Sequence, residues 1–159
     1  MVWTNPDLEP LINRSKDLIK KFFNKTVTAL IFVCTLQELS EEVIKEMNQD
    51  HRPLWEENYI RLIIPSLEGK YFHDKNEIWL IQSNGEKINV ILHEMIHSFQ
   101  QCRPNRENII DFISFKLLND SSFIKADVLH EWKEIEKDVG FKAILNNIQS
   151  NSDCEEFNS

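Results

Sequence analysis

Two histidines one helical turn apart, with a glutamate directly after the first, are the residues whose types and spacing point most clearly to chemistry. They form the pattern His93-Glu94-x-x-His97. Residues at i and i+4 of a helix lie one above the other, so both imidazoles can face one divalent cation. Glu94 lies about 100° round the helix from His93, where its carboxylate can reach a water on that cation without being a ligand. The pattern therefore predicts a metal centre.

The helix that would carry this pattern, from about Glu86 to Cys102, has one apolar side. On a helical wheel the apolar side chains fall together, whereas both histidines fall on the other side. The apolar side holds Ile88, Ile91, Leu92, Met95, Ile96, Phe99 and Cys102; the other side holds Asn89, Val90, His93, Glu94, His97, Gln100 and Gln101. We expect the histidines at the edge of a helix whose opposite face is core; the alternative is two surface histidines on an amphipathic helix.

The segment from about Gly69 to Leu118 resembles the zincin metallopeptidases. The resemblance rests on GKYFHDKNEIWL followed by INVILHEMIHSFQ, which is a strand hairpin just before the motif helix, with Gln100 three places after the second histidine. It implies that the two histidines ligate zinc and that Glu94 is the general base. It also implies that an edge strand of the hairpin, Lys70 to His73, pairs with an extended substrate.

The third zinc ligand is predicted to be Glu107. Catalytic zinc usually has three protein ligands and keeps a fourth position for water. The metzincin third-histidine position holds Arg103, which excludes that subclass. Gluzincins often take a glutamate from the next helix as E-x-x-x-D, and Glu107 with Asp111 fits that spacing, although nine residues between His97 and Glu107 are fewer than gluzincins commonly show. In this assignment His93, His97 and Glu107 hold zinc, and Asp111 accepts a hydrogen bond from a ligand histidine.

Other assignments stay open. Glu107 could instead be a first-turn acid favoured by the helix dipole. His130 is the main rival ligand, since SprT-like proteases use a downstream histidine; it could also stabilise the transition state or be a surface residue. The remaining acids that could be ligands are Asp111, Asp120, Asp127 and Glu131. Tyr71 or His73 could donate to a developing oxyanion, or be an ordinary exposed strand residue.

The elements around the motif helix predict an α+β domain with a small, largely antiparallel sheet, a zincin-type active-site helix and a helical C-terminal half. Turn residues and periodicity divide the chain into one domain over residues 1–149 and a disordered tail over 150–159. The predicted elements are a helix from near Pro6, a strand over Thr26–Thr35, a helix from Leu36 to about Met47, a strand over Tyr59–Ile64, a hairpin over Gly69–Gln82, the motif helix, and helices over Asn105–Leu118, Ser122–Val139 and Phe141–Ile148.

The composition of the chain limits the classes of protein to which it can belong. The chain has 159 residues, 42% of them apolar, which suits one globular domain. A net charge of −8 argues against binding of nucleic acid or an anionic membrane by the whole domain. There is no membrane-length apolar run and no secretion-type leader in this sequence, and the three cysteines, Cys34, Cys102 and Cys154, suggest no disulfide framework, so we expect a reducing, cytoplasmic setting.

The function predicted from the sequence is a zinc-dependent metalloendopeptidase that acts on a protein or peptide. Zinc would activate a water, and Glu94 would take its proton and pass it to the leaving amine. Two alternatives remain: a catalytically degenerate zincin-like module that binds a protein partner, and a regulatory protease specific for one protein. The sequence leaves the oligomeric state open.

Overall fold

The computed structural model describes residues 6–49, 52–81, 87–100 and 107–149. Within these ranges the predicted fold class, α+β with a helical C-terminal half, is confirmed. The elements are α1 (Glu9–Phe23), β1 (Leu30–Cys34), α2 (Leu36–Gln49), α3 (Leu54–Ile63), β2 (Gly69–Phe72), β3 (Glu77–Ile81), α4 (Ile88–His97), α5 (Glu107–Leu118), α6 (Ala126–Val139) and α7 (Phe141–Gln149).

The three strands form one mixed sheet in the order β1-β3-β2. β2 and β3 are an antiparallel hairpin that pairs Tyr71 with Ile78, whereas β1 is parallel to β3 and pairs Phe32 with Trp79. The expected largely antiparallel sheet is thus half parallel, because the chain crosses over through α2 and α3 before it re-enters the sheet. β2 is an edge strand of this sheet.

The second predicted strand, Tyr59–Ile64, is wrong: this segment is helical. It forms the end of α3 and a short 3-10 turn, Ile64–Ser66. A short apolar run does not distinguish a strand from a helix. Here Pro53 directly precedes α3, and Glu56 in its first turn suits the positive end of the helix dipole.

Two hydrophobic clusters lie on opposite faces of the sheet. Alternate residues of a strand point to opposite faces. Ile78 and Leu80 of β3 join the larger cluster, to which α1, α4, α5, α6 and α7 contribute. Trp79 and Ile81 join the smaller cluster, to which α2 contributes. α4 packs against α1, α5, β2 and β3, so it is an internal helix held on several sides.

Several predicted boundaries shift. β1 begins at Leu30 rather than Thr26, and α4 ends at His97, so the predicted extension to Cys102 is wrong at least up to residue 100. Cys102 itself and the tail over 150–159 lie outside the described residues. No helix in the described ranges has the length and apolar character that a membrane crossing requires.

Candidate metal centre

The two histidines of α4 and Glu107 of α5 come together at one point. His93 Nε2 and His97 Nε2 are 3.1 Å apart. Glu107 Oε2 lies 2.5 Å from His93 Nε2, and Glu107 Oε1 lies 3.1 Å from His97 Nε2. Two ligands of a tetrahedral zinc ion, each about 2.0–2.1 Å from the metal, are about 3.3–3.4 Å apart. Two of the three separations are therefore within about 0.3 Å of that value, whereas Glu107 Oε2 and His93 Nε2 are in direct hydrogen-bond contact and would move apart by about 0.8 Å to share an ion.

Local structure accounts for this convergence. Ile91, Leu92, Met95 and Ile96 of α4 are fully buried and fix the rotation of the helix. That rotation turns the i, i+4 histidine pair toward α5, which packs against α4. Glu107 is the first residue of α5, where a carboxylate is stabilised by the helix dipole. The helix dipole and the binding of a cation are therefore compatible roles for Glu107.

Both histidines bond an oxygen through their outer nitrogen. His93 Nδ1 is 2.8 Å from Asp111 Oδ1, and His97 Nδ1 is 2.8 Å from Gln100 Oε1. An oxygen acceptor at Nδ1 favours the tautomer with the proton on Nδ1, so that a neutral ring turns its Nε2 lone pair inward. Two lone pairs and a carboxylate that face one point repel each other unless a proton or a metal cation lies among them. The donor set therefore fits a divalent metal.

Electrostatics match this arrangement. Burial acts to lower the pKa of His93, but its hydrogen bonds with Asp111 and Glu107 and the charge of Glu94 outweigh burial and hold that pKa well above 6.5. Partial burial acts to raise the pKa of Glu107, but hydrogen bonds with the two histidines bring it well below its usual value. The cluster thus favours positive charge at its centre, from a proton when no metal is bound.

Glu94 is a buried carboxylate beside this cluster. Only 7% of the residue is exposed, and its negative charge is one of the causes that raise the pKa of His93. Glu94 does not belong to the set of converging ligand atoms. Its carboxylate therefore lies close enough to His93 to act on it electrostatically without being one of the candidate ligands.

The cluster is unevenly exposed. The side chain of His97 is 8% exposed, whereas that of Glu107 is 55% exposed. Glu107 is therefore the most accessible of the three candidate ligands, and His97 on α4 is enclosed.

The rival ligands do not join the cluster. In the described ranges, His93, His97 and Glu107 are the set of three or more potential ligands close enough to share an ion. Asp111 bonds to His93 instead, as the sequence predicted for a residue that orients a ligand. The other candidates, His130, Asp120, Asp127 and Glu131, are exposed and outside the cluster.

Tyr71 has a structural contact within the hairpin. Its hydroxyl donates to Asn76 Oδ1 at 2.9 Å, and burial raises its pKa. The ring of His73 packs edge-on against that of Tyr71. These contacts favour the simpler interpretation of both residues, as parts of the hairpin.

The sequence did not predict the contact between Gln100 and His97; Gln100 counted only toward the resemblance to the zincin metallopeptidases. Gln100 is almost fully buried, and its side-chain oxygen is the acceptor for the outer nitrogen of His97. The available signal was the spacing, since a residue three places after a helical histidine lies near its ring.

Comparisons with protein-family models, with curated proteins and with solved structures gave no match.

Proposed function

We propose that this chain is a zinc-dependent metallopeptidase with His93, His97 and Glu107 as metal ligands and Glu94 as general base. The observation that carries the proposal is the convergence of two Nε2 atoms and a carboxylate at one partly open point, with both outer nitrogens already bonded to oxygen. Three protein ligands with an open side are typical of catalytic rather than structural zinc sites.

Each residue has a separate task in the proposed mechanism. Bound zinc would lower the pKa of a water and polarise a carbonyl oxygen. Asp111 and Gln100 keep the imidazoles of His93 and His97 in the tautomer that faces inward. The Glu94 carboxylate accepts a proton from the attacking water and then donates it to the leaving amine.

An extended peptide is the proposed substrate. β2 is an edge strand of the sheet, and it packs against α4, the helix that carries Glu94 and the two histidines. A sheet edge can add a further strand through its free backbone N–H and C=O groups. Pairing along Gly69–Phe72 would hold a peptide backbone near α4.

A reducing, cytoplasmic setting remains part of the proposal. Cys34 is buried and unpaired, and burial raises the pKa of its thiol to about 11. Such a thiol is almost entirely protonated at neutral pH and hence inert. Cys34 is therefore a packing residue rather than half of a disulfide.

The substitution Glu94→Gln tests the mechanism. It keeps the size and all three ligands, so we expect zinc content to be unchanged and peptide hydrolysis to fall by about 10²–10⁴-fold. Hydrolysis of a peptide library is measured with and without chelator, and zinc is measured by elemental analysis. Glu9→Gln, at an exposed position on α1, is the matched control and should behave as wild type.

The outcomes separate the candidate functions. Full peptidase activity in Glu94→Gln contradicts the assignment of the base. A wild-type chain that binds zinc yet cuts no library peptide leaves the degenerate binding module and the single-target protease. These two then differ in whether a captured partner protein is cleaved when zinc is present.

A further inference from the structure

A cleft of about 200 Å³ lies between α2 and the turn of the β2–β3 hairpin. One wall consists of four polar side chains spaced i, i+3, i+4 and i+7 along α2, which are Glu42, Lys45, Glu46 and Gln49. The buried Phe72, at the end of β2, also lines the cavity, together with Asp74 and Lys75 of the turn. We call this cavity the α2 cleft.

Contacts between α2 and the hairpin hold the α2 cleft in shape. Lys75 Nζ donates to a carboxylate oxygen of Glu42 and lies 5.2 Å from the centre of the Phe72 ring. Lys70 Nζ, on β2, lies 3.9 Å from Glu46 Oε1. The walls thus belong to elements that these contacts fix relative to each other, so the cleft can distinguish side chains by their size.

The register of the hairpin shows which backbone groups of β2 face outward. Bonded and non-bonded pairs alternate along an antiparallel ladder. The N–H of Ile81 donates to the oxygen of Glu68 at 3.0 Å, so this pair is bonded. Lys70 and Phe72 follow at alternate positions and are therefore bonded to β3 as well. The backbone groups of Tyr71 then point away from β3, where an added strand can pair with them.

Side chains of an added strand would alternate between the two faces of the sheet. Each residue of such a strand points to the same face as the β2 residue opposite it. Tyr71 packs in the larger cluster, on the α4 side, and Phe72 packs in the smaller cluster, on the α2 side. A peptide residue opposite Tyr71 therefore faces the side of α4, and its neighbour opposite Phe72 faces the α2 cleft.

We propose that the α2 cleft is a specificity subsite, which takes one long polar side chain of the peptide at the position opposite Phe72. This inference rests on the proposed peptidase function and on pairing of the substrate with β2. Pockets for whole small molecules generally have volumes of roughly 300–1,000 Å³. A cavity of about 200 Å³ suits a single side chain instead.

The lining indicates which side chains fit. Glu46 lies 3.9 Å from Lys70 and 3.8 Å from Arg52, and both distances are longer than a hydrogen bond. Its carboxylate can therefore still accept a hydrogen bond from a substrate. Three lining residues are acids and two are lysines, one of which already bonds Glu42. Arginine or glutamine thus fits better than glutamate, and glycine or alanine leaves the cleft unfilled.

A peptide library in which one position is varied at a time tests this subsite in the zinc-loaded full-length chain. One position should favour arginine or glutamine over alanine by about tenfold in kcat/KM, the lower end of what one pocket contact contributes. Gln49→Trp places a large ring at the cleft and should reverse that preference at that position alone. Gln37→Trp, at an exposed position on the same helix outside the cleft, is the matched control and should leave the preference unchanged.

Photo-crosslinking provides a second measurement that does not depend on turnover. In the zinc-loaded Glu94→Gln chain, a photoreactive side chain at the selective position of the peptide should label α2. The same group at the neighbouring position should not label α2, because that side chain faces the other side of the sheet. This measurement decides the question if Gln49→Trp does not fold.

The failure of the subsite is distinguishable from the failure of the proposed function. A wild-type chain that cuts no peptide contradicts the proposed function, and the subsite with it. Cleavage without a preference for a long side chain, or with a preference that Gln49→Trp leaves unchanged, overturns the subsite alone. Crosslinks that avoid α2 at every peptide position do the same.

Discussion

The Nε2 atoms of His93 and His97 point inward because two side chains that are not proposed ligands hold the imidazoles in place. Asp111 and Gln100 each bond an outer nitrogen, but one is a carboxylate from α5 and the other an amide next to α4. The carboxylate of Asp111 adds a negative charge beside Nδ1 of His93. The amide of Gln100 orients His97 without adding charge.

Removing either orienting side chain should weaken metal binding. We expect Asp111→Ala and Gln100→Ala each to lower zinc affinity by about 10–100-fold, because the imidazole loses its fixed tautomer and rotamer. Gln100→Glu should retain more affinity, since it keeps an acceptor oxygen. Competition with a zinc-chelating dye measures the affinity.

His130→Ala is the matched control for this series and should bind zinc as wild type does. A larger loss in His130→Ala than in Glu107→Ala would transfer the role of third ligand to His130 and contradict the assignment.

At the scale of elements, the approach of α4 to β2 depends on the small size of Gly69. A Cβ atom at this position would lie 3.3 Å from Val90 Cγ1 on α4 and 3.2 Å from the backbone oxygen of Trp79. Contacts this short force neighbouring atoms to move. Since α4 carries the histidines, the gap between α4 and the hairpin also sets the distance from β2 to the candidate metal centre.

A graded series at Gly69 tests this packing. Gly69→Val should lower the free energy of unfolding by about 1–3 kcal/mol, as overpacking does, and Gly69→Ala should lower it less. Urea unfolding measures the loss. Val90→Ala in the Gly69→Ala background should recover part of it, because it removes one of the crowded atoms. A Gly69→Val chain as stable as wild type would show that α4 and β2 can separate without cost.

At the scale of the molecule, the cluster of His93, His97 and Glu107 links α4 to α5 and is expected to couple the stability of the domain to pH. Without metal, the pKa of His93 is raised above 6.5, so its contact with Glu107 contributes stability below about pH 6.5 and loses it as pH rises through the raised value. The pKa of Glu107 is lowered from 4.5, so its contribution is present above that pH and is lost as pH falls through the lowered value.

We therefore expect the contact between His93 and Glu107 to stabilise the metal-free chain most in mildly acidic solution, at pH values between the usual pKa of a glutamate and that of a histidine. Above neutrality, this contribution to the free energy of unfolding should be lost. Urea unfolding with chelator present, as a function of pH, measures this. His93→Gln should flatten the profile. Added zinc should reverse the trend, because zinc replaces the proton and binds more tightly as pH rises. A wild-type profile with chelator that matches the His93→Gln profile would contradict the coupling.

Patterns within one element could be predicted from the sequence. The His93–His97 pair, the position of Glu94 beside it and the turn of the hairpin near Asn76 all follow from helix or strand geometry, which a few neighbouring residues determine. The E-x-x-x-D spacing likewise put Glu107 and Asp111 on one face of α5. The periodicity of a helix or a strand is a local property of the backbone, so it can be recognised in a sequence before any packing is known.

Relations between elements were decided only by the tertiary structure. Packing of α5 on α4 brings Glu107, and not His130, to the histidines, since sequence separation says little about distance across a core. α3 is a helix although its apolar run suited a strand, and β1 is parallel to β3 because a helical crossover separates them. The exposure of Trp55, Tyr59 and Leu62 on α3 could not be predicted either, because a hydrophobic pattern does not show which apolar side chains the rest of the chain leaves uncovered.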